Sequence, residues 1–157
     1  MVSTGDTAPT FTATVANGEV EAFDLADELG DGPVVLAFFP GAFTEPCSNE
    51  MVALQEHLED FEAAGATLFG VSADSALSQN AFRDKYDLGF SLVSDMGRDA
   101  IEAYGQRIDI ESLGLLGVAN RSVFVVDDDG EVTYTWVADD PTNEPDYAEL
   151  LEAVESA

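Results

Sequence analysis

Apolar residues along the chain follow two kinds of pattern, which predict strands and helices in alternation. Residues 34–39 are all apolar, as expected of a strand that is buried on both faces of a sheet. From about residue 46 to residue 64, apolar residues return every three or four positions with acidic residues between them. That spacing predicts one amphipathic helix, and Gly65 directly after it would end the helix.

The remaining segments extend this alternation to both ends of the chain. Runs rich in β-branched and aromatic residues predict further extended segments at 11–15, 20–23, 67–71, 90–93, 122–126 and 132–136. Further helices are predicted at 75–86, 99–104 and 146–155. Asn17-Gly18 and the turn at 127–130 would make hairpins of the strands beside them. We therefore expect an α/β fold, one domain over residues 1–157, in which a mixed central sheet has helices on both faces.

Net charge is the property in which this chain differs most from an ordinary soluble domain. Lys and Arg total 5 and Asp and Glu total 32, so the formal net charge is −27. A typical small domain carries a net charge of magnitude about 2–8. A surface this acidic repels phosphate backbones and anionic headgroups, so we expect neither nucleic acid nor membranes as partners. Hydrophobic residues still make up 46% of the chain, which favours a folded core over disorder.

A salt-rich cytoplasm is the explanation that we favour for this acidity. Repulsion among so many acids opposes a compact fold in dilute buffer, whereas at about 1 M salt the Debye length is only about 3 Å. An acidic protein of ordinary cytosol is the alternative. The chain begins without a charged-then-apolar leader and has no apolar stretch of about 20 residues, so we expect a cytoplasmic protein.

The cysteine content narrows the possible chemistry. Cys47 is the only cysteine, which excludes an internal disulfide and a multi-thiolate metal site, and we expect no metal or other cofactor. Cys47 follows the apolar strand and falls in the first turn of the predicted helix, with Thr44 as a candidate N-cap. Unpaired backbone N–H groups and the helix dipole stabilise a thiolate at that position. A small buried core residue is the alternative interpretation.

A thiolate at Cys47 also needs a nearby cation, because Glu45 and the acidic surface favour the neutral thiol. Arg121 is the candidate among the five cations, since it precedes the apolar strand at 122–126 instead of lying on an acidic helix face. A surface ion pair is the alternative role for this arginine.

The segment Pro40-x-x-x-Thr44-x-x-Cys47 resembles the Pro-x-x-x-Thr-x-x-Cys motif of the peroxiredoxins, which are thiol peroxidases with a thioredoxin-like fold. The resemblance includes the apolar strand before the motif and Glu50, three residues after the cysteine. Residues 120–127 are similar to the strand that carries the family's distal arginine. The resemblance extends over nearly the whole chain.

This resemblance implies a role for each matched residue. Cys47 would be the peroxidatic nucleophile that hydrogen peroxide or a small organic hydroperoxide oxidises to sulfenic acid. Thr44 would hydrogen-bond the peroxide, and Pro40 would shield the sulfur from water. Arg121 would stabilise the thiolate and the charge that develops as the O–O bond breaks. Glu50 would orient the loop or the arginine, or else be a solvated helix acid.

The single cysteine bears on how such an enzyme is reduced. Some relatives carry a second cysteine five residues after the first, where this chain has Val52. The sequence therefore resembles one-cysteine peroxiredoxins related to the bacterioferritin-comigratory group. That resemblance implies an external thiol or a redoxin as the reductant, and a homodimer or higher homo-oligomer as the assembly.

Two other functions stay open on the sequence alone. A thioredoxin-like protein would exchange thiols and disulfides, although that chemistry usually needs a Cys-x-x-Cys pair and Glu50 stands at the second position. A non-enzymatic, chaperone-like oligomer would use the same fold for interaction. Peroxide-dependent sulfenic acid at Cys47 separates the peroxidase from both alternatives.

The acidity predicts that salt stabilises this protein. Because counterions screen the repulsion among 32 acidic side chains, we expect the thermal unfolding midpoint to rise by several degrees between dilute buffer and molar KCl. Differential scanning calorimetry across a KCl series measures this shift. An unchanged midpoint would contradict the halophile interpretation.

Overall fold

The strands form one sheet of seven and a separate pair in the computed structural model, which describes residues 2–157. In chain order, the strands are β1 (Thr12–Ala16), β2 (Val20–Asp24), β3 (Val34–Phe38), β4 (Thr67–Ser72), β5 (Ser91–Ser94), β6 (Arg107–Ile110), β7 (Leu115–Ala119), β8 (Ser122–Val126) and β9 (Val132–Val137). The helices are α1 (Leu25–Glu28), α2 (Glu45–Glu56), α3 (Leu58–Ala63), α4 (Ala76–Tyr86), α5 (Asp99–Ala103) and α6 (Tyr147–Glu155). A 3-10 turn covers Glu111–Leu113.

The seven-stranded sheet is mixed, and β3 lies near its centre. Its strand order is β2-β1-β5-β4-β3-β8-β9. β3 pairs in parallel with β4 and antiparallel with β8, and all five of its residues are buried. The unbroken apolar run in the sequence reflects this burial on both faces. The hairpins expected between β1 and β2 and between β8 and β9 are both present.

Helices cover both faces of this sheet. On one face, α2, α4 and α6 contribute Met51, Phe82 and Leu150 to a core that also contains Cys47. On the other face, α1 and α5 pack against the sheet in a second core. The expected α/β architecture is therefore confirmed. None of the helices in the described part of the chain has both the length and the apolarity that a bilayer span needs.

The single helix expected over residues 46–64 is two helices in the structure. α2 ends and α3 begins at His57, whose φ of −97° and ψ of 2° lie outside the α-helical range. The His57 N–H is shared between the carbonyls of Ala53 and Leu54, which tightens the chain locally as in a 3-10 turn. Gly65 follows α3 with a φ of +79°, which suits its expected place after the helix end.

The sequence pattern predicted no element between residues 105 and 121, yet the structure has a hairpin there. β6 and β7 pair antiparallel, with a register shift between Ile108 and Ile110. Such short, irregular strands lack the sustained alternation by which a strand is recognised in a sequence. We call this segment, β6 to β7 with the 3-10 turn between them, the β6–β7 hairpin.

Candidate active site

The start of α2 follows the carboxyl end of β3 and places the cysteine. β3 ends at Phe38, the chain continues through Pro40, and α2 begins after Thr44, its N-cap residue. Pro46 lies in the first turn of the helix, where its missing N–H removes no helical hydrogen bond. Cys47 therefore lies in the first turn of a helix at the carboxyl end of a buried strand, where ligands commonly bind in α/β sheets.

The Thr44 hydroxyl does not cap the helix, although Thr44 stands at the N-cap position. Its Oγ1 donates a hydrogen bond to the carbonyl oxygen of Gly41, at 2.8 Å. Its backbone carbonyl accepts the Ser48 N–H at 2.9 Å. The hydroxyl hydrogen is thus engaged within the loop, and the oxygen's lone pairs stay available to another donor.

Arg121 contacts the cysteine sulfur directly. Ser122, the first residue of β8, pairs with Phe38 of β3, so Arg121 lies at the end of the sheet where β3 leads to α2. Its Nη2 donates to the Sγ of Cys47 at 3.1 Å, and its Nε donates to the carbonyl of Pro141 at 2.8 Å. The side chain is 1% exposed, so this arginine does not form a surface ion pair.

Glu50 completes a buried cluster with the other two side chains. It is fully buried, so it is not a solvated helix acid, and its Oε1 accepts from Nη1 of Arg121 at 2.7 Å. Its Oε2 has no hydrogen-bond partner within residues 2–157. Burial raises the pKa of Glu50 to about 7 against the lowering effect of Arg121, and Glu144 adds to the rise.

The guanidinium of Arg121 stays charged in this environment. Burial by itself lowers the pKa of Arg121. Glu50 and Cys47 together raise this pKa by more than burial lowers it, so the net change is upward. The geometry therefore supplies what a stabilised thiolate needs, which is a fixed cation in hydrogen-bond contact with sulfur.

A cavity of about 200 Å³ lies over this cluster. Cys47, Thr44 and Arg121 supply its chemically active lining. The rest of the lining is mostly apolar and includes Pro40, Pro46, Ile110, Leu113, Leu115 and Pro141. The sulfur is 1% exposed but lines this cavity, so it is accessible to a small molecule that enters.

Sequence reasoning missed several contributors to the site. The Asp74 carboxylate accepts the Ala42 N–H at 2.8 Å and ties the loop between β3 and α2 to the end of β4. The N-cap residue of α4 is Ser75. The loop also holds Phe43 at a φ of +67°, which is uncommon outside glycine. The carbonyl of Pro141 was not predicted, because a backbone acceptor has no sequence signature.

Comparisons with known proteins identify the family. The model of the AhpC/TSA family matches residues 4–135. The chain belongs to this family. Its relatives include a protein of Coxiella burnetii named as a bcp peroxiredoxin, 30% identical over 86% of this chain and 88% of that protein. A peroxiredoxin of Mycobacterium tuberculosis is 37% identical over 82% of this chain and 80% of its own length.

A solved structure supports the same grouping. The peroxidoxin BcpB of Mycobacterium tuberculosis is 27% identical and superposes with a TM-score of 0.81, over 98% of this chain and 96% of that one. The membership of the peroxiredoxins and the thioredoxin-like fold that the sequence predicted are thereby confirmed. The single cysteine fits the one-cysteine type.

The burial of Glu50 predicts a pH-dependent stability. Because burial raises its pKa from 4.5 to about 7, the folded protein keeps a proton that the unfolded chain loses between those values. The stabilisation that this proton gives the folded state is complete below about pH 4.5 and is lost as the pH rises through about 7. We therefore expect the free energy of unfolding of the wild type to fall, relative to that of Glu50→Gln, between about pH 5 and pH 8.

Urea denaturation of both proteins across this range measures the difference. The glutamine variant is the matched control, since it keeps the size of the side chain but cannot ionise, and acids remote from Glu50 titrate alike in both proteins. Parallel stability curves would contradict the raised pKa of Glu50.

Proposed function

We propose that this chain is a one-cysteine thiol peroxidase that reduces hydrogen peroxide or small organic hydroperoxides at Cys47. The observation that carries the proposal is the 3.1 Å hydrogen bond from Arg121 Nη2 to the Cys47 sulfur, beside a cavity that a small substrate can enter. A thiolate is the nucleophilic form of cysteine, and a buried guanidinium stabilises that form. Membership of the AhpC/TSA family supports the same reaction.

In the oxidative step, the Cys47 thiolate attacks the hydroxyl oxygen of the peroxide. An S–O bond forms as the O–O bond breaks, so the sulfur loses two electrons and becomes sulfenic acid. The other oxygen leaves as hydroxide or alkoxide and takes up a proton to give water or an alcohol. The guanidinium of Arg121 faces the charge that moves from sulfur to this leaving oxygen, and it stabilises the transition state more than the bound peroxide.

Thr44 and Pro40 prepare the substrate for this attack. The hydroxyl hydrogen of Thr44 is donated to Gly41, so toward the cavity Thr44 acts as an acceptor for the O–H of the peroxide. That hydrogen bond aligns the attacked oxygen with the sulfur. Pro40 lines the cavity without an N–H of its own, and it excludes water from the thiolate.

Glu50 is a positioning residue that acts through Arg121. Its Oε1 holds Nη1 of the guanidinium at 2.7 Å, while the Pro141 carbonyl holds Nε. These two acceptors fix the plane of the guanidinium, which leaves Nη2 directed at the sulfur. The orientation of the cation is thus set before the substrate arrives, and its reorganisation costs little during the reaction.

The reductant comes from outside these 157 residues, since they contain no second cysteine. An external thiol, either a small molecule or a redoxin, attacks the sulfenic acid of Cys47 and releases water as a mixed disulfide forms. A second thiol then attacks the sulfur of the first reductant, which frees the Cys47 thiolate and yields an oxidised disulfide product.

We further infer that the protein is cytoplasmic and forms a homodimer or a higher homo-oligomer. Large apolar side chains at the surface support self-association, among them Phe43, Leu77 and Met96, each at least half exposed. Light scattering in molar KCl measures the assembly, where repulsion between copies is screened. A monomer at every concentration tested would contradict the proposal.

Removing the guanidinium tests the proposed chemistry. We expect Arg121→Met to lower the second-order rate of Cys47 oxidation by hydrogen peroxide by about 10²–10³-fold, because it removes a charged donor from the transition state. Quenched-flow mass spectrometry of the sulfenic acid, trapped with a dimedone-type reagent, measures this rate without any reductant. Arg107→Met is the matched control, since that guanidinium is about half exposed and pairs with Glu102 at the surface.

The control variant should react at the wild-type rate, and Cys47→Ser should give no trapped product. Equal rates for Arg121→Met and the wild type would contradict the role assigned to the arginine. No peroxide-dependent sulfenic acid in the wild type would overturn the peroxidase and favour a thiol–disulfide exchange protein or a chaperone-like oligomer.

A further inference from the structure

The peptide group between Gly41 and Ala42 is hydrogen-bonded on both sides. Its carbonyl oxygen accepts the hydroxyl hydrogen of Thr44 at 2.8 Å. Its N–H, which is that of Ala42, donates to Oδ2 of Asp74, also at 2.8 Å. One rigid peptide plane therefore links a carboxylate just after β4 to the hydroxyl that lines the cavity beside Cys47.

The Asp74 carboxylate is held by other elements besides this loop. The Ser72 hydroxyl of β4 donates to the same oxygen, Oδ2, at 2.7 Å. Gln79 of α4 is fully buried, and its Nε2 donates to the Ser72 hydroxyl oxygen and to the Val93 carbonyl, both at 2.9 Å. The Ser94 hydroxyl of β5 donates to the backbone carbonyl of Asp74 at 2.7 Å. Two strands and a helix thus fix the carboxylate before any substrate binds.

The loop that receives this bond has an unfavourable backbone conformation. Phe43, between Ala42 and Thr44, has a φ of +67°. The left-handed region is costly for a residue with a Cβ atom. The turn at Phe43 nevertheless keeps the Thr44 hydroxyl within hydrogen-bond distance of the Gly41 carbonyl. The bond from Ala42 to Asp74 therefore helps to maintain a turn that the Phe43 backbone by itself disfavours.

Two effects carry the influence of Asp74 to the Thr44 hydroxyl. The bond to the carboxylate fixes the orientation of the peptide plane, and with it the direction of the Gly41 carbonyl. The same bond polarises the peptide group, which makes that carbonyl a stronger acceptor for the hydroxyl hydrogen. Both effects keep the hydroxyl hydrogen in the loop, so the lone pairs of Thr44 are the groups offered to a peroxide O–H.

We propose that Asp74 is a positioning residue for peroxide reduction, which acts through the Gly41–Ala42 peptide to keep Thr44 an acceptor toward the substrate. This inference rests on the proposed peroxidase function. Asp74 does not line the cavity over the sulfur, so its effect passes through the loop and not through contact with the peroxide. A hydroxyl that rotates freely would turn its hydrogen into the cavity for part of the time, and the attacked oxygen would be aligned less often.

The test compares two reactions of Cys47 that differ in whether the reagent carries an O–H group. Hydrogen peroxide offers an O–H to Thr44, whereas methyl methanethiosulfonate has neither an O–H nor an N–H. The thiolate attacks the sulfenyl sulfur of this second reagent, an S–S bond forms, and methanesulfinate leaves with the electron pair. The measured quantity is the ratio of the peroxide rate constant to the thiosulfonate rate constant, each followed by mass spectrometry in a single turnover. A change in the thiolate fraction alone moves both rates and leaves this ratio unchanged.

The expected effect of Asp74→Ala depends on whether Thr44 is present. In the wild-type background, we expect this substitution to lower the ratio about tenfold, the scale of one hydrogen bond to a charged group. In a protein that already carries Thr44→Val, it should change the ratio by less than about twofold, because the hydroxyl through which it acts is gone. A role confined to supporting the fold would lower the ratio equally in both backgrounds.

Three further variants complete the experiment, and circular dichroism checks that each is folded. Asp74→Asn should restore the wild-type ratio, since its amide oxygen can accept from both donors that face Oδ2. Ser72→Ala is a milder variant that keeps the carboxylate but removes the hydroxyl that orients it, and it should lower the ratio about threefold. Asp127→Ala is the matched control, since this carboxylate also accepts backbone N–H groups but follows β8, at the opposite end from Arg121.

The outcomes separate this inference from the proposed function. A fall in the ratio for Asp74→Ala that vanishes in the Thr44→Val background, with Asp127→Ala unchanged, supports the positioning role. An unchanged ratio in Asp74→Ala, an equal fall in both backgrounds, or no recovery in Asp74→Asn overturns it and leaves the peroxidase intact. If hydrogen peroxide forms no sulfenic acid at Cys47 in the wild type, the peroxidase itself fails.

Discussion

The site depends on one constraint: the charged guanidinium of Arg121 is buried away from water, so its donors must be paired. Burying a charge costs several kcal/mol unless the group is paired and its donors are satisfied. Arg121 meets that condition through three acceptors from separate parts of the chain, which are the Cys47 sulfur, the Glu50 carboxylate and the Pro141 carbonyl. The start of α2, the start of β8 and the loop before α6 must therefore meet at one place, and the pairing of β3 with β8 brings two of them together.

The buried pairing also places a cation beside Cys47 in a strongly acidic protein. The 32 carboxylates act mostly from the surface, where water and salt screen them over distances of about 10 Å or less. The contact between Arg121 and Cys47 is buried and is screened far less. Glu50 is the one acid inside the cluster, and its burial raises its pKa. A cation thus faces the sulfur at close range, while most of the acids act on it only from the surface.

Features with a periodic or positional signal in the sequence were predictable, and features without such a signal were not. The strand β3 and the helix that carries Cys47 follow from apolar spacing, and the choice of Arg121 followed from its place before an apolar strand. The burial of Glu50 could not be read from the pattern, because an acid beside Asn49 on a helix resembles a solvated residue until the arginine is placed against it. The break at His57 and the β6–β7 hairpin depend on backbone hydrogen bonds that leave no periodic signal.

Two structural units share the lining of the cavity over Cys47. The reactive groups are anchored to the seven-stranded sheet, where a shift of β3 or β8 would disturb both cores. The β6–β7 hairpin belongs to a separate two-stranded sheet that contributes side chains to the cavity without joining those strands. Substitutions in the β6–β7 hairpin can therefore change the shape of the cavity while the contact between Arg121 and Cys47 is unchanged. The contact at the sulfur and the shape of the cavity are physically separable in this protein because different sheets carry them.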